Sequence, residues 1–419
     1  MHFIKKFALI FFLAPFAFIQ AEVEEVIVTA NKKVETVQEI PMNISVITEV
    51  DIQERGISNP EDFLRTLAGV TTPGGARYYS FRGLNTSSAQ RSSGTTSTYI
   101  DEIPGTTMNI WDIERIEVLR GPQGTLYGRN VTGGLINMIT ARPTGDTSGY
   151  VNMDYGNLGQ TRLRSAINIP LADNVAARVA YSSYVQDGTV SNLNLGTDLD
   201  DRDSDAVRLS VDWDMGDGQV LQVTHEEHNF DDSRLNWANR YCQRDSFLGC
   251  NPTVRGTPNT SAHPAGTLAA SFGTLTFMQP SKMTDTYANS PFAADLDDIY
   301  LDFDPRRTGT VTHSTVEWIN SMDNGDLKVK ASYAIRDYNH IDDNDKMISG
   351  QSTFSNALSG LLGPFTADLE YGCWGTQTRG APTNVECSKA IEDVMQLEAN
   401  WISDNDGPLN YTLGAYYYE

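Results

Sequence analysis

From about residue 149 onward the chain alternates apolar and polar residues with a period of two, and this constrains its fold more than any other feature. Val207, Leu209, Val211 and Trp213 take turns with Arg208, Ser210, Asp212 and Asp214. Leu327, Val329, Ala331, Tyr333 and Ile335 do the same with Lys328, Lys330, Ser332 and Arg336. Met395, Leu397, Ala399 and Trp401 alternate with Gln396, Glu398 and Asn400. Neighbouring side chains of a strand point to opposite faces, so each run has one apolar and one polar face. Nine such strands are predicted, over 149–156, 161–169, 175–187, 205–214, 219–229, 310–319, 327–338, 392–402 and 409–419.

A soluble β-sandwich would alternate in the same way, and the connections separate the two possibilities. Every second connection is short and turn-like: 170–174, 215–218, 320–326 and 403–408. The others, after a brief link at 157–160, run over 188–204, about 230–309 and about 339–391. Short turns on one side and long loops on the other are the pattern of an antiparallel transmembrane β-barrel, and a sandwich gives no reason for that parity. The mean hydropathy of -0.35 is compatible with such a barrel, because only every second residue meets lipid. Four cysteines, Cys242, Cys250, Cys373 and Cys387, all fall on the long-loop side, and their spacing reads as two local disulfides in an oxidising exterior. Zinc is disfavoured, since no His or further Cys stands near either pair at ligand spacing.

The start of the chain points to export. Lys5 and Lys6 precede an apolar stretch over residues 7–19, and small Ala21 is placed for cleavage before Glu22. That stretch is too short for a membrane-spanning helix and suits a signal peptide over 1–21. Residues 22–35 read as an exposed, β-prone tail, and 36–145 as a small α+β domain rich in glycine turns. Within it, residues 41–47 alternate like a strand, Asn59 and Pro60 cap a short helix, and 113–119 forms a further strand. The chain carries 31 Lys and Arg against 54 Asp and Glu, a net charge of -23, which excludes the basic footprint of a nucleic-acid binder.

Several segments of this region resemble the TonB-dependent outer-membrane receptors. Glu24-Glu25-Val26-Ile27-Val28-Thr29-Ala30 is similar to that family's TonB box. Pro41 to Ile47, Phe81-Arg82-Gly83, Ile113 to Pro122, Gln123 to Asn130 and Gly133 to Asn137 resemble its plug domain, in order and at ordinary spacing. The resemblance covers the plug by motif and the barrel only by pattern. It implies an α+β plug over 36–145, followed over 146–419 by the first part of a barrel of about 22 strands, the lumen a plug of that size needs. It also implies an outer-membrane location in a Gram-negative bacterium, contact with outer-membrane lipid and lipopolysaccharide, and import energised by TonB with its ExbB/ExbD complex.

Glu25, Val26, Ile27, Val28, Thr29 and Ala30 are then expected to bind TonB, adding as a strand to its sheet edge. An edge strand of the plug is the alternative for the same residues. Arg82 and Arg120 resemble plug arginines that pair with barrel carboxylates. The outward plug loops carry Arg77, Tyr78, Tyr79, Gln90 and Arg91, aromatic and cationic groups suited to a planar or anionic chelate. A ferric siderophore is the leading substrate, with a glycan or a corrinoid as alternatives. From other classes, a passive porin would lack both tail motif and plug, and a soluble binding protein would lack the loop parity.

Other candidates carry less. In His225-Glu226-Glu227-His228 the two imidazoles stand three apart on a strand, on opposite faces, so they do not share an ion. The acidic clusters Asp198 to Asp205 and Asp342 to Asp345 read as solvated loop charge. No nucleophile–base set stands out, so neither enzymatic activity nor a bound cofactor or metal is expected. The chain ends at Glu419 inside a strand and without a terminal aromatic. The expectation is therefore an incomplete barrel, and a truncated product without function is the remaining alternative.

Overall fold

A computed structural model describes residues 27–29, 32–33, 35–36, 38, 40, 42–55, 57, 60–72, 79–86, 94–105, 110–128, 130–233, 243–245, 249–251, 297–301, 304–343, 385–405 and 409–419. The proposed signal peptide, Arg77, Tyr78, Gln90, Arg91, Cys242 and Cys373 lie outside the described residues, so the disulfide pairing does too.

The first domain is built on a five-stranded sheet. Its order is Asn43–Thr48, Ile113–Arg120, Gly134–Thr140, Thr96–Ile100 and Ile103–Gly105. All neighbours are antiparallel except Gly134–Thr140 beside Thr96–Ile100. Because side chains alternate along each strand, the central pair feeds two cores. Ile116, Val118, Ile136 and Met138 join Phe63, Leu64, Tyr79 and Phe81 on one face. Leu119 and Leu135 join Val28, Tyr99, Tyr127 and Val131 on the other. Each fully buried Leu or Ile contributes about 1.5–3 kcal/mol, so this domain has a core of its own.

The predicted helix is present as Pro60–Thr66. A second helix, Glu49–Glu54, was not expected. Thr48 and Asp51 form its capping box, with the Asp51 N–H donating to Thr48 Oγ1 at 3.2 Å and the Thr48 N–H donating to Asp51 Oδ2 at 3.1 Å. Among the glycines of this domain, Gly134 shows why a side chain is excluded. Its φ is +135°, and a Cβ there would come within 2.3 Å of the Leu119 carbonyl oxygen, so the main chain closes on its neighbour only without a side chain.

The second region is a sheet of nine antiparallel strands in chain order: Ser148–Tyr155, Thr161–Ala172, Val175–Gln186, Arg202–Gly216, Gln219–Asp232, Arg306–Met322, Gly325–Asp343, Val385–Ser403 and Thr412–Tyr418. All nine predicted strands are present, several longer than expected at the long-loop end. The partition of the faces separates barrel from sandwich. Leu209 is 46% exposed, whereas its neighbour Arg208 is 2% exposed. Val207, Val316, Val329, Tyr333 and Leu397 share the exposed apolar face, and Arg178, Glu226, Lys330 and Glu398 the buried polar one. A soluble sheet buries its apolar face. Here that face points outward, as on a wall that meets lipid, and the first domain sits against the polar face.

Candidate functional site

The chemistry of the chain concentrates where the first domain meets the polar face of the wall. Asp112 is the centre of the larger contact. It follows Trp111 at the entry to the strand Ile113–Arg120, with φ of 50° in the left-handed region, which Asp tolerates better than most residues. Its side chain is 1% exposed. Arg178 Nε donates to Asp112 Oδ2 at 3.0 Å and the Tyr150 hydroxyl donates to Oδ1 at 3.1 Å. Arg208 Nη1 donates to the Asp112 carbonyl at 3.1 Å, while its Nε donates to Glu226 Oε2 at 2.8 Å. The Arg208 guanidinium also lies 4.4 Å from the Trp111 ring centroid, a cation–π contact strengthened by burial. Trp111 packs there with Ala166, Ala180 and Ala206 of the wall. Asp112 thus gathers side chains from three wall strands through its carboxylate and its carbonyl.

A second contact involves Glu102, also in the left-handed region with φ of 69°. Lys32 Nζ lies 3.1 Å from Glu102 Oε2 and 3.1 Å from Glu398 Oε1 of the wall. Lys330 Nζ donates to the Asp101 carbonyl at 3.0 Å and stands 3.2 Å from Glu317 and 3.5 Å from Glu102. Burial pushes the Glu102 carboxyl up, but Lys32, Lys330 and Lys328 outweigh it and hold it down to about 2. A third contact joins Arg142 to Asp212 and, at 3.0 Å, to Thr224 Oγ1.

The chain segment before the first domain is part of this arrangement. Ile27–Val28 pairs antiparallel with Glu35–Thr36, and Val28 is fully buried beside Tyr99 and Leu119. Thr29 donates to Glu117 Oε1 through its N–H at 2.9 Å and through its hydroxyl at 3.2 Å. Arg115 Nε reaches the same oxygen at 2.9 Å. Burial pushes the Glu117 carboxyl up, against the pull of Arg115 and the Thr29 N–H.

These positions correct several expectations. The tail is exposed only in part at 27–29: Ile27 is half exposed, Val28 is spent on the domain core, and the pairing with Glu35–Thr36 forms a two-stranded sheet separate from the five-stranded one. Glu25, Val26 and Ala30 lie outside the described residues. Tyr79 is not at an outward surface. It is 2% exposed, stacks edge-on with Phe81 at 5.8 Å and shares a hydrogen bond of 2.9 Å with Thr98.

Arg120 meets no wall carboxylate among the described residues. It donates to Ser45 Oγ at 2.7 Å and Asn43 Oδ1 at 3.2 Å of the adjacent strand, and burial, then Arg82, holds its guanidinium below the usual range. Arg82 is exposed in a turn with φ of 51°. At Asp112 and Glu102 the polarity is the reverse of the one expected, with carboxylates on the domain and cations on the wall. A signal for this was present, because Arg178, Arg208 and Lys330 occupy the polar positions of the alternation. His225 bonds Ser314 at 2.9 Å, while His228 lies 5.7 Å from the Phe230 ring.

Residues 36–135 match the family model of the TonB-dependent receptor plug domain. The pesticin receptor of Yersinia pestis is 27% identical over 190 residues, 43% of this chain and 28% of that protein. The vitamin B12 transporter BtuB of Vibrio vulnificus is 28% identical over 192 residues, 42% of this chain and 31% of that protein. Among solved structures, the ferric-catecholate import receptor Fiu from Escherichia coli K12, in its open form, superposes with a TM-score of 0.61 at 18% identity, over 92% of this chain and 50% of Fiu. The chain thus spans about half the length of that structure, and its alignments cover less than a third of the curated relatives.

Proposed function

We propose that this chain, which belongs with the TonB-dependent outer-membrane receptors through its plug and its strands, serves the active import of a scarce nutrient across the bacterial outer membrane. A ferric siderophore is the substrate class we favour. The observation that carries this reading is a plug with its own core, held in a polar lumen by a few discrete buried ion pairs. Such a plug can be displaced and restored. A passive pore has no use for an occupied lumen, and the family is one of transport receptors rather than enzymes.

In this reading TonB, energised by ExbB/ExbD, engages residues 25–30 and draws on them. Outward loops take the ligand, Arg77, Tyr78, Gln90 and Arg91 contributing from the plug. Tyr79, buried and bonded to Thr98, is not counted among these contacts.

The test is energised uptake in cells that depend on this protein, using iron-55 bound to catecholate or hydroxamate chelators and cobalt-57 cyanocobalamin as the corrinoid probe. Ferric chelate uptake that collapses at least tenfold on Val26→Pro is expected, because proline removes a main-chain donor from the strand offered to TonB. Uptake of cyanocobalamin alone would shift the substrate to the corrinoid class. Uptake that persists without proton-motive force would replace the reading with passive permeation.

A further inference from the structure

Five Lys and Arg residues are buried among the described residues: Lys32, Arg162, Arg178, Arg208 and Lys330. Four of them stand within 3.2 Å of a carboxylate oxygen. Arg162 is the exception. It is 6% exposed, and it has neither a carboxylate partner nor a hydrogen bond among the described residues. Its guanidinium lies 4.3 Å from the ring centroid of Tyr184, whose hydroxyl donates to Gln186 Oε1 at 2.6 Å and so fixes the ring. A ring face attracts a cation but takes up none of its N–H groups. A buried charge stays costly until an opposite charge and hydrogen-bonding partners meet it.

A second arginine stands beside it. Arg164 lies two positions on in the same strand and therefore on the same face. Its Nη2 donates to Asp154 Oδ2 at 3.0 Å, but that carboxylate is 52% exposed, and Arg164 Nε is buried without an acceptor among the described residues. Ala166, two positions further, packs against Trp111 of the plug. The two arginines thus lie on the inner face of the wall, beyond the plug seat and toward the 157–160 link on the long-loop side. Their cross-strand neighbours Ser182 and Tyr184 carry no charge, and neither does Ser204 beyond Tyr184. In a chain of net charge -23, this stretch of wall sets two guanidiniums against one solvated carboxylate. Lipid headgroups meet the outer face, so an anion that reaches this pair arrives through the lumen.

We propose that Arg162 and Arg164 form an anion-binding subsite on the inner wall, which takes a carboxylate or catecholate oxygen pair of the imported ligand, and that Tyr184 holds Arg162 in position for it. The planar guanidinium fork suits two oxygens held side by side. The inference rests on the import reading for the source of the anion, and it narrows the substrate to an anionic ferric chelate rather than an uncharged one.

The test uses the full chain in outer-membrane vesicles without TonB, with vesicles lacking the chain as the blank. Two iron-55 probes are compared: the anionic ferric complex of 2,3-dihydroxybenzoate and the uncharged ferric complex of acetohydroxamate. The parent is expected to bind the anionic probe more tightly, and Arg162→Gln to weaken that binding by about tenfold or more, with the loss confined to the anionic probe. Arg162→Lys keeps the charge without the fork and should fall between the two. The denaturant midpoint without either probe separates binding from folding. Arg162→Gln orphans no carboxylate and is expected to match or exceed the parent, whereas Arg178→Gln takes a partner from Asp112 and should fall below it. Parental binding of the anionic probe by Arg162→Gln overturns the proposal, and so does an equal loss of both probes. A midpoint as low as that of Arg178→Gln overturns it too, since Arg162 would then be a structural cation. Because no transport is measured, failure of the import reading would appear in uptake while these affinities stood unchanged.

Discussion

Asp112 shows how much of this seam depends on single side chains. It is buried with a wall arginine on its carboxylate and a second on its carbonyl, and it holds a left-handed main chain that few residues adopt without strain. Removing one partner of a buried ion pair typically costs about 3–5 kcal/mol, because the remaining charge stays buried. Asp112→Ala is therefore expected to lose stability of that order, read as a lower denaturant midpoint for amide exchange across Ile113–Arg120. Asp112→Asn keeps a residue that accepts the left-handed conformation and should fall between the two. An Asn variant as stable as the parent would show that the charge contributes nothing. No residue-level signal marked Asp112 in the sequence, since its role comes from partners 38, 66 and 96 positions away. Arg120 illustrates the opposite error: its motif was legible, but its geometry directs it to Asn43 and Ser45 within the plug.

At the scale of elements the sequence was far more informative. The strands of the wall were legible because alternation is a local property, present in each run of eight or more residues. Their ends were less so: Arg306–Met322 and Gly325–Asp343 continue beyond the apolar run because main-chain pairing persists after lipid-facing side chains give way to polar ones. The helix Glu49–Glu54 was missed although Thr48 and Asp51 stand at capping-box spacing. The reversed faces of the wall also give a prediction. Leu209 lies on the exposed apolar face near the middle of its strand, so Leu209→Arg should destabilise the membrane-embedded protein by about 2–4 kcal/mol if it sits at the bilayer midplane. Urea titration in lipid vesicles reads this directly, and a shift below about 0.5 kcal/mol would remove that face from the lipid.

For the molecule as a whole, attachment of plug to wall should depend on acidity with a defined sign. Glu102 is held down to about 2 against an ordinary value of 4.5. A carboxylate depressed on folding stabilises fully above its unfolded value, and that contribution is lost as pH falls through the folded one. The seam should therefore be firm above about pH 4.5 and weaken progressively toward pH 2. The prediction is checked by following plug amide exchange in detergent across that window. Glu102→Gln should flatten the part of the pH dependence that Glu102 supplies; an unchanged profile in that variant would assign the effect to other groups.

The short hairpin of Ile27–Val28 against Glu35–Thr36 also sets the mechanics of opening. A tension applied just before Ile27 meets the end of a two-stranded ladder, with the free terminus of one strand leading. Its bonds are then loaded in series rather than in parallel, and they give way one after another like a zip. The peak force is that of a single rupture, while the work is the sum of them all. A small steady pull can thereby dismantle, bond by bond, an attachment whose simultaneous rupture would need a far larger force.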